Sequence, residues 1–253
     1  MSESTDDDND PQVVAGRRPL NSRNWRIFQI AAGRIAQTTV TPNMISVSSV
    51  MFAAIAGICL VATSYCQSGG ALAAMYLLAA GGMQLRLVAN LLDGMVAVEG
   101  GKRSPVGVLY NEVPDRISDS LILVGAGYSL ASRPELGLMA AVVAVFVAYV
   151  RAIGSSAGTG EVFAGPMAKP QRMALLTGGC IVCALVSWMQ WGDGGSWQSH
   201  VMGTVLGLII VGGMITAAVR LRIIAAKLRA GSDLISVGAS DDFDSATMVV
   251  EES

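Results

Sequence analysis

The sequence predicts an all-α membrane protein, a bundle of six transmembrane helices with an N-terminal amphipathic helix lying in the interface. Two observations lead there. Hydrophobic residues make up 52% of the chain and charged residues only 14%, where a soluble domain carries about 25% charged. Mostly apolar runs of membrane-spanning length then recur at about 43–65, 71–98, 106–130, 135–155, 171–191 and 199–222, and such runs are the signature of helices that cross a bilayer.

Residues 1–16 and 231–253 read as disordered acidic tails, since they lack apolar periodicity and carry like charges that repel. No basic-then-apolar leader opens the chain, so no cleavable signal peptide is expected. Over 17–40, Trp25, Phe28, Ala32 and Ile35 recur at helical spacing with Arg23, Arg26 and Arg34 between them. This is the pattern of an amphipathic juxtamembrane helix. The membrane domain follows over 41–230. Thr41-Pro42 starts its first span, Thr as N-cap and Pro at the first helical position, and Ser104-Pro105 does the same for the third. Gly203 and Gly207 form a GxxxG pattern that predicts close helix contact in the sixth span. Cys180 and Cys183, with Cys59 and Cys66, read as packing residues, because no second ligand pair accompanies the CxxC. His200 has the look of an interfacial residue without a role.

The acidic pI of about 5.4 conceals a basic body. Of 19 acidic residues, 11 lie in the tails, leaving 8 against all 17 Lys and Arg in between. Such a body suits lipid headgroups or phosphate-bearing ligands, with nothing that points to nucleic acid. The basic residues cluster before the first span, around Lys102 and Arg103, around Arg151, Lys169 and Arg172, and after the sixth span. The opposite loops offer only Arg133. Both termini and the 90–119 segment are therefore expected on the cytoplasmic side, and a bacterial inner membrane is the expected location.

That segment breaks the apolar pattern. Asn90 and Asp93 share one helix face at the end of the second span, and Asn111, Asp115 and Asp119 share another on the third. With the two helices antiparallel, oxygen donors converge near the membrane surface, a chemistry suited to Mg²⁺ or Mn²⁺. Gly94 and Gly107 leave room for a ligand beside them. Pro114 removes a backbone donor just before Asp115. Five polar donors on two facing stripes point to a site, since intramembrane carboxylates rarely serve packing alone. One turn deeper, Arg86 and Asp119 are expected to pair as support beneath it.

These residues resemble the signature of the CDP-alcohol phosphatidyltransferases, D-x-x-D-G-x-x-A-R, about eight residues, then G-x-x-x-D-x-x-x-D. The chain reads Asn90-x-x-Asp93-Gly94-x-x-Ala97-Val98, eight residues, Gly107-x-x-x-Asn111-x-x-x-Asp115, matching five of the eight signature positions. The resemblance extends over roughly 20–225 and implies the fold described above. It also implies Asn90, Asp93, Asn111 and Asp115 as metal ligands for one or two Mg or Mn ions, with Asp115 doubling as general base. Gly94, Ala97 and Gly107 would line the CDP site. The first and third aspartates are Asn90 and Asn111, and the arginine is Val98. Glu112 or Glu99 would restore the lost charge, and Lys102 or Arg103 the lost arginine.

The activity so implied is transfer of a phosphatidyl group from a CDP-alcohol, CDP-diacylglycerol foremost, to a small alcohol with release of CMP. Metal would neutralise the diphosphate while Asp115 takes the alcohol's proton. The resemblance adds Arg151, Lys169 and Arg172 as contacts for a phosphorylated acceptor, and a homodimer among membrane lipids. Two other readings remain open: a member that binds CDP-lipid without turnover, and a small ion or proton transporter. The latter lacks the internal repeat and midplane site that transporters show.

Overall fold

In a computed structural model, residues 26–99, 106–189 and 198–251 are described, and among them every regular element is helical. The order is α1 (Arg26–Ala36), α2 (Pro42–Ala62) with a 3-10 turn (Thr63–Tyr65), α3 (Gly69–Glu99), α4 (Gly107–Gly127), α5 (Pro134–Ser156), α6 (Lys169–Met189) and α7 (Gln198–Glu251). Five of these, α2, α3, α5, α6 and α7, are long and apolar enough to cross a membrane. The expected third span is present as α4, a 21-residue helix, but Glu112, Asp115, Arg116 and Asp119 lower its hydropathy below that of a lipid-facing span. The backbone of α7 stays helical to Glu251, through the stretch for which the sequence predicts a disordered tail.

Local chemistry sets the helix boundaries. Thr41 is the N-cap of α2: its side chain accepts from the Met44 amide at 3.3 Å, and Pro42 takes a position where its missing N–H costs nothing. Pro134 opens α5 in the same way. Ser104-Pro105 lies outside the described residues.

The helices close into a ring in the order α2, α3, α6, α7, α5, α4 and back to α2. The core inside it is built of small residues and a few large ones: Ala53, Ala56, Ala79 and Ala126 beside Leu60, Met83, Ile122 and Leu123, all fully buried. Ala and Gly let backbones approach where apolar side chains gain nothing from leaving lipid. At Gly125 a Cβ would stand 2.7 Å from the Gly57 Cα, so α2 and α4 touch backbone to backbone; α4 and α5 do the same at Gly127 and Gly137. Met51, Ile55, Leu78, Val142 and Val211 face outward and are exposed, as a lipid-facing surface requires.

The stripe of α1 packs on α3: Ala32 is fully buried, and Phe28 and Ile35 lie with it on Met95 and Val96. The end of α3 offers an apolar surface that this stripe covers; Trp25 lies outside the described residues. Of the GxxxG pair, Gly203 donates its N–H to the Ala131 carbonyl at 3.0 Å, while a Cβ on Gly207 would meet no atom within 4 Å. Within the chain it is Gly203 of this pair that makes close contact, with the turn between α4 and α5 and with Leu136.

Candidate functional site

In the ring α3 and α4 are not neighbours; they face each other across its interior at the end where α3 finishes and α4 begins. Arg86 meets Asp119 and Asn90 meets Asp115, so the two helices run antiparallel, and long side chains rather than backbone contact bridge the gap. The third contributor is α6, which sends Lys169 and Arg172 from its first turn.

Asp115 sits at the centre of this layer. Its Oδ1 accepts from Arg86 Nη2 at 3.1 Å and its Oδ2 from Lys169 Nζ at 2.5 Å. The Asn90 carboxamide, oriented so that both of its ends are satisfied, donates to Asp115 Oδ1 at 3.0 Å and accepts from Lys169 Nζ at 2.9 Å. One turn deeper, Asp119 binds Arg86 through Oδ1 at 2.8 Å and Arg172 through Oδ2 at 2.5 Å. Arg86 is wholly buried and Asp119 nearly so. Ion pairs this deep persist only where hydrogen bonds satisfy both partners. That condition is met incompletely: Nε and Nη1 of Arg86 and Nε of Arg172 have no acceptor among the described residues.

Asp93, one turn after Asn90 on α3, is buried too. Its Oδ2 accepts from Ser46 Oγ at 2.6 Å. Ser46 was not singled out in the sequence, yet it left a signal. Ser46, Ser49, Ala53, Ala56 and Leu60 form the buried face of α2, and hydroxyls leading such a face point to a polar partner across it.

The remaining residues separate. Asn111 is exposed on α4, one turn before Asp115. Glu112 is held by Arg151 at 2.6 and 2.7 Å and by Arg116 on its own helix, so it is not free to restore charge to a metal set. Arg151 also reaches Glu161 at 3.6 Å and lies over the Phe163 ring. Arg172 closes on Asp119 beneath the site and is 4% exposed, which leaves it sealed from an incoming phosphate. A Cβ at Gly107 would meet open space. Lys102 and Arg103 lie outside the described residues, as do the side chains of Val98 and Glu99; Ala97 is half-buried near the end of α3.

The donor set does not fit a pair of divalent ions. Such ions need several oxygen ligands each, and among the described residues no three His, Cys, Asp or Glu side chains come together to hold one. The carboxylates that are present already bind Arg86, Lys169 and Ser46.

Beside the layer, an apolar cavity of about 820 Å³ runs along the outer seam of α2 and α4. Gly57 and Gly125 line it, with Ile58, Tyr65 and Leu121, and Arg116 stands at the end next to Asp115.

No family model matches this chain. The inner membrane protein YnbA of Escherichia coli (strain K12) is 28% identical over 111 residues, 43% of this chain, and the match spans about half of that relative's length, 55%. Phosphatidylinositol phosphate synthase PgsA1 of Mycobacterium tuberculosis with CDP-DAG bound superposes with a TM-score of 0.60 at 20% identity, over 79% of this chain and 94% of that one. The same synthase in complex with manganese and citrate gives 0.61 at 18% identity, over 78% and 88%. At these identities the likeness is one of architecture: the chain shares the membrane-helix fold of a phosphatidylinositol phosphate synthase.

Proposed function

We propose that the protein transfers a phosphatidyl group, or another substituted phosphate, from a CDP-alcohol to a small alcohol acceptor, releasing CMP. The observation that supports this best is the meeting of Asn90, Asp115 and Lys169 from three helices within 3.0 Å of one another, at the end of a membrane-helix ring. A site there is reachable by a lipid-anchored donor and by an acceptor from water. The cavity along α2 and α4 has a volume typical of small-molecule sites and an apolar lining suited to acyl chains. CDP-diacylglycerol is accordingly the donor we assign. The layer faces the cytoplasm, with both chain termini, in agreement with the distribution of Arg and Lys.

In this reaction the acceptor oxygen attacks the phosphorus next to the lipid alcohol. The bond from that phosphorus to the oxygen of CMP breaks, and CMP leaves with the electron pair. Asp115 accepts the acceptor's proton, the step for which a positioned carboxylate is suited. Lys169 faces the charge that gathers on the diphosphate, and Arg86 holds Asp115 from below. Arg151, partly exposed between Glu112 and Glu161, is the contact we assign to a phosphate-bearing acceptor.

The test is CMP release from CDP-diacylglycerol by the full chain in lipid nanodiscs, over a panel of glycerol phosphate, inositol phosphate, serine and choline, in Mg²⁺, Mn²⁺ or EDTA. A phosphorylated acceptor should be preferred, and Asp115→Asn should slow release by about 10²–10⁴-fold. No CMP with any acceptor would sink the transferase reading. Retained CDP-lipid binding in that case would favour a second one, binding without turnover, which draws on the fact that both oxygens of Asp115 are already taken.

A further inference from the structure

We infer that the ammonium of Lys169 occupies the position where the motif resemblance would set a divalent ion, so that the site works as a lysine-centred cradle without a resident metal. The inference rests on the transferase reading for its substrate, but the placement of Lys169 stands on geometry alone. Nζ lies 2.5 Å from Asp115 Oδ2 and 2.9 Å from the Asn90 carboxamide oxygen. Those are two of the atoms that the resemblance makes metal donors, one from each of the facing helices. A cation already sits between them.

Charge and hydrogen bonding agree with this placement. Asn at positions 90 and 111 removes two carboxylates from the motif and leaves Asp93 and Asp115. Asp115 has Arg86 on its other oxygen, and Asp93 accepts from Ser46, a hydroxyl donor where an ion would want a free lone pair. Asn111, the remaining motif position, is a neutral carboxamide exposed one turn before Asp115. A divalent ion entering here would meet two cations, Arg86 and Lys169, within hydrogen-bond distance of the Asp115 carboxylate. Mg²⁺ keeps near-ideal octahedral geometry at 2.0–2.1 Å, which an ammonium at the centre of the donors denies it.

The arrangement also suggests how the site is used. When a diphosphate arrives, Lys169 can move its hydrogen bonds from Asp115 Oδ2 to phosphate oxygens and remain charged throughout. Oδ2 is then free for the hydroxyl proton of the acceptor.

Manganese binding to the full chain, read from the loss of the free Mn²⁺ signal in electron paramagnetic resonance, tests the placement without any turnover. The wild type should leave the signal unchanged up to about 1 mM Mn²⁺, whereas Lys169→Met should take up one ion per chain and lose it again in Lys169→Met with Asp115→Asn. One ion bound by the wild type and removed by Asp93→Asn overturns the inference, and so does a folded Lys169→Met protein that binds none. Should Lys169→Met fail to fold, Lys169→Arg keeps the charge, and CDP-diacylglycerol binding decides. Affinity in EDTA within about threefold of that in Mn²⁺, for wild type and Lys169→Arg alike, supports the cradle; a tenfold or greater loss in EDTA refutes it. Absence of CDP-lipid binding under every condition would sink the transferase reading and leave the manganese result to judge Lys169 separately.

Discussion

Glu112 and Asp119 lie on one face of α4, two turns and about 10 Å apart, and each carboxylate is held by two guanidinium groups. The outer one is held by Arg151 and Arg116, with Glu112 itself 36% exposed at its side chain. The inner one is held by Arg86 and Arg172, and no side chain of that trio is more than 5% exposed. The chemistry is the same and the solvent is not. Water screens the outer trio, so its members can exchange partners at little cost. Nothing screens the inner trio, and it joins α3, α4 and α6 into one frame. Asp115 lies between the two with its side chain 11% exposed: it takes its fixed geometry from the frame below and borders the screened charges above.

The contrast is broken most forcefully at Asp119. Asp119→Asn leaves Arg86 and Arg172 buried without their counter-charge, and removing one partner of such a group costs about 3–5 kcal/mol. Thermal unfolding in detergent, with gel filtration to score monodisperse protein, should show a strongly lowered midpoint or no folded protein at all. An Asp119→Asn variant as stable as the wild type would mean that the inner trio is no frame.

The next effect comes from the apolar half of the same helix. In Gly125→Val the new side chain would start from a Cβ 2.7 Å from the Gly57 Cα, where both neighbours are backbone and cannot yield as a side-chain tip would. Overpacking of this kind costs about 1–3 kcal/mol. Because α4 would be pushed off α2, the cavity along their seam should suffer too. We expect a lower unfolding midpoint together with weaker CDP-lipid binding, and unchanged binding would separate the cavity from the donor.

How far the sequence reached divides along the same line. Helix positions were legible because membrane-length apolar runs leave few alternatives: α2 through α6 and the start of α7 fall within a few residues of the expected spans. The facing stripes of α3 and α4 were legible as well, since spacings of three and four set a helix face without any knowledge of neighbours. Partners from distant parts of the chain were not. Lys169 lies 54 residues from Asp115, and no local pattern distinguishes an inward lysine from one that only marks the cytoplasmic side. Ser46 lies 47 residues before Asp93, and the serines heading the buried face of α2 announce a polar partner without saying which residue it is. Nor does helical spacing tell neighbours from helices that face each other across a ring. That difference explains why α3 and α4 meet through Arg86 and Asn90 rather than through their backbones.

The smallest effect belongs to the outer trio, and it sharpens the comparison because it should separate stability from function. Glu112→Gln removes one charge from a partly exposed network, where such pairs contribute about 0–1 kcal/mol and are weakened by salt. Its unfolding midpoint should stay close to that of the wild type and the difference should shrink further at high ionic strength. The same change frees Arg151 from the carboxylate that holds it at 2.6 Å. If Arg151 meets the acceptor's phosphate, KM for a phosphorylated acceptor should fall while kcat is kept, and KM for an uncharged alcohol should not move. A large loss of stability in Glu112→Gln would place the outer trio in the frame, and an equal change in KM for both acceptors would remove Arg151 from phosphate recognition.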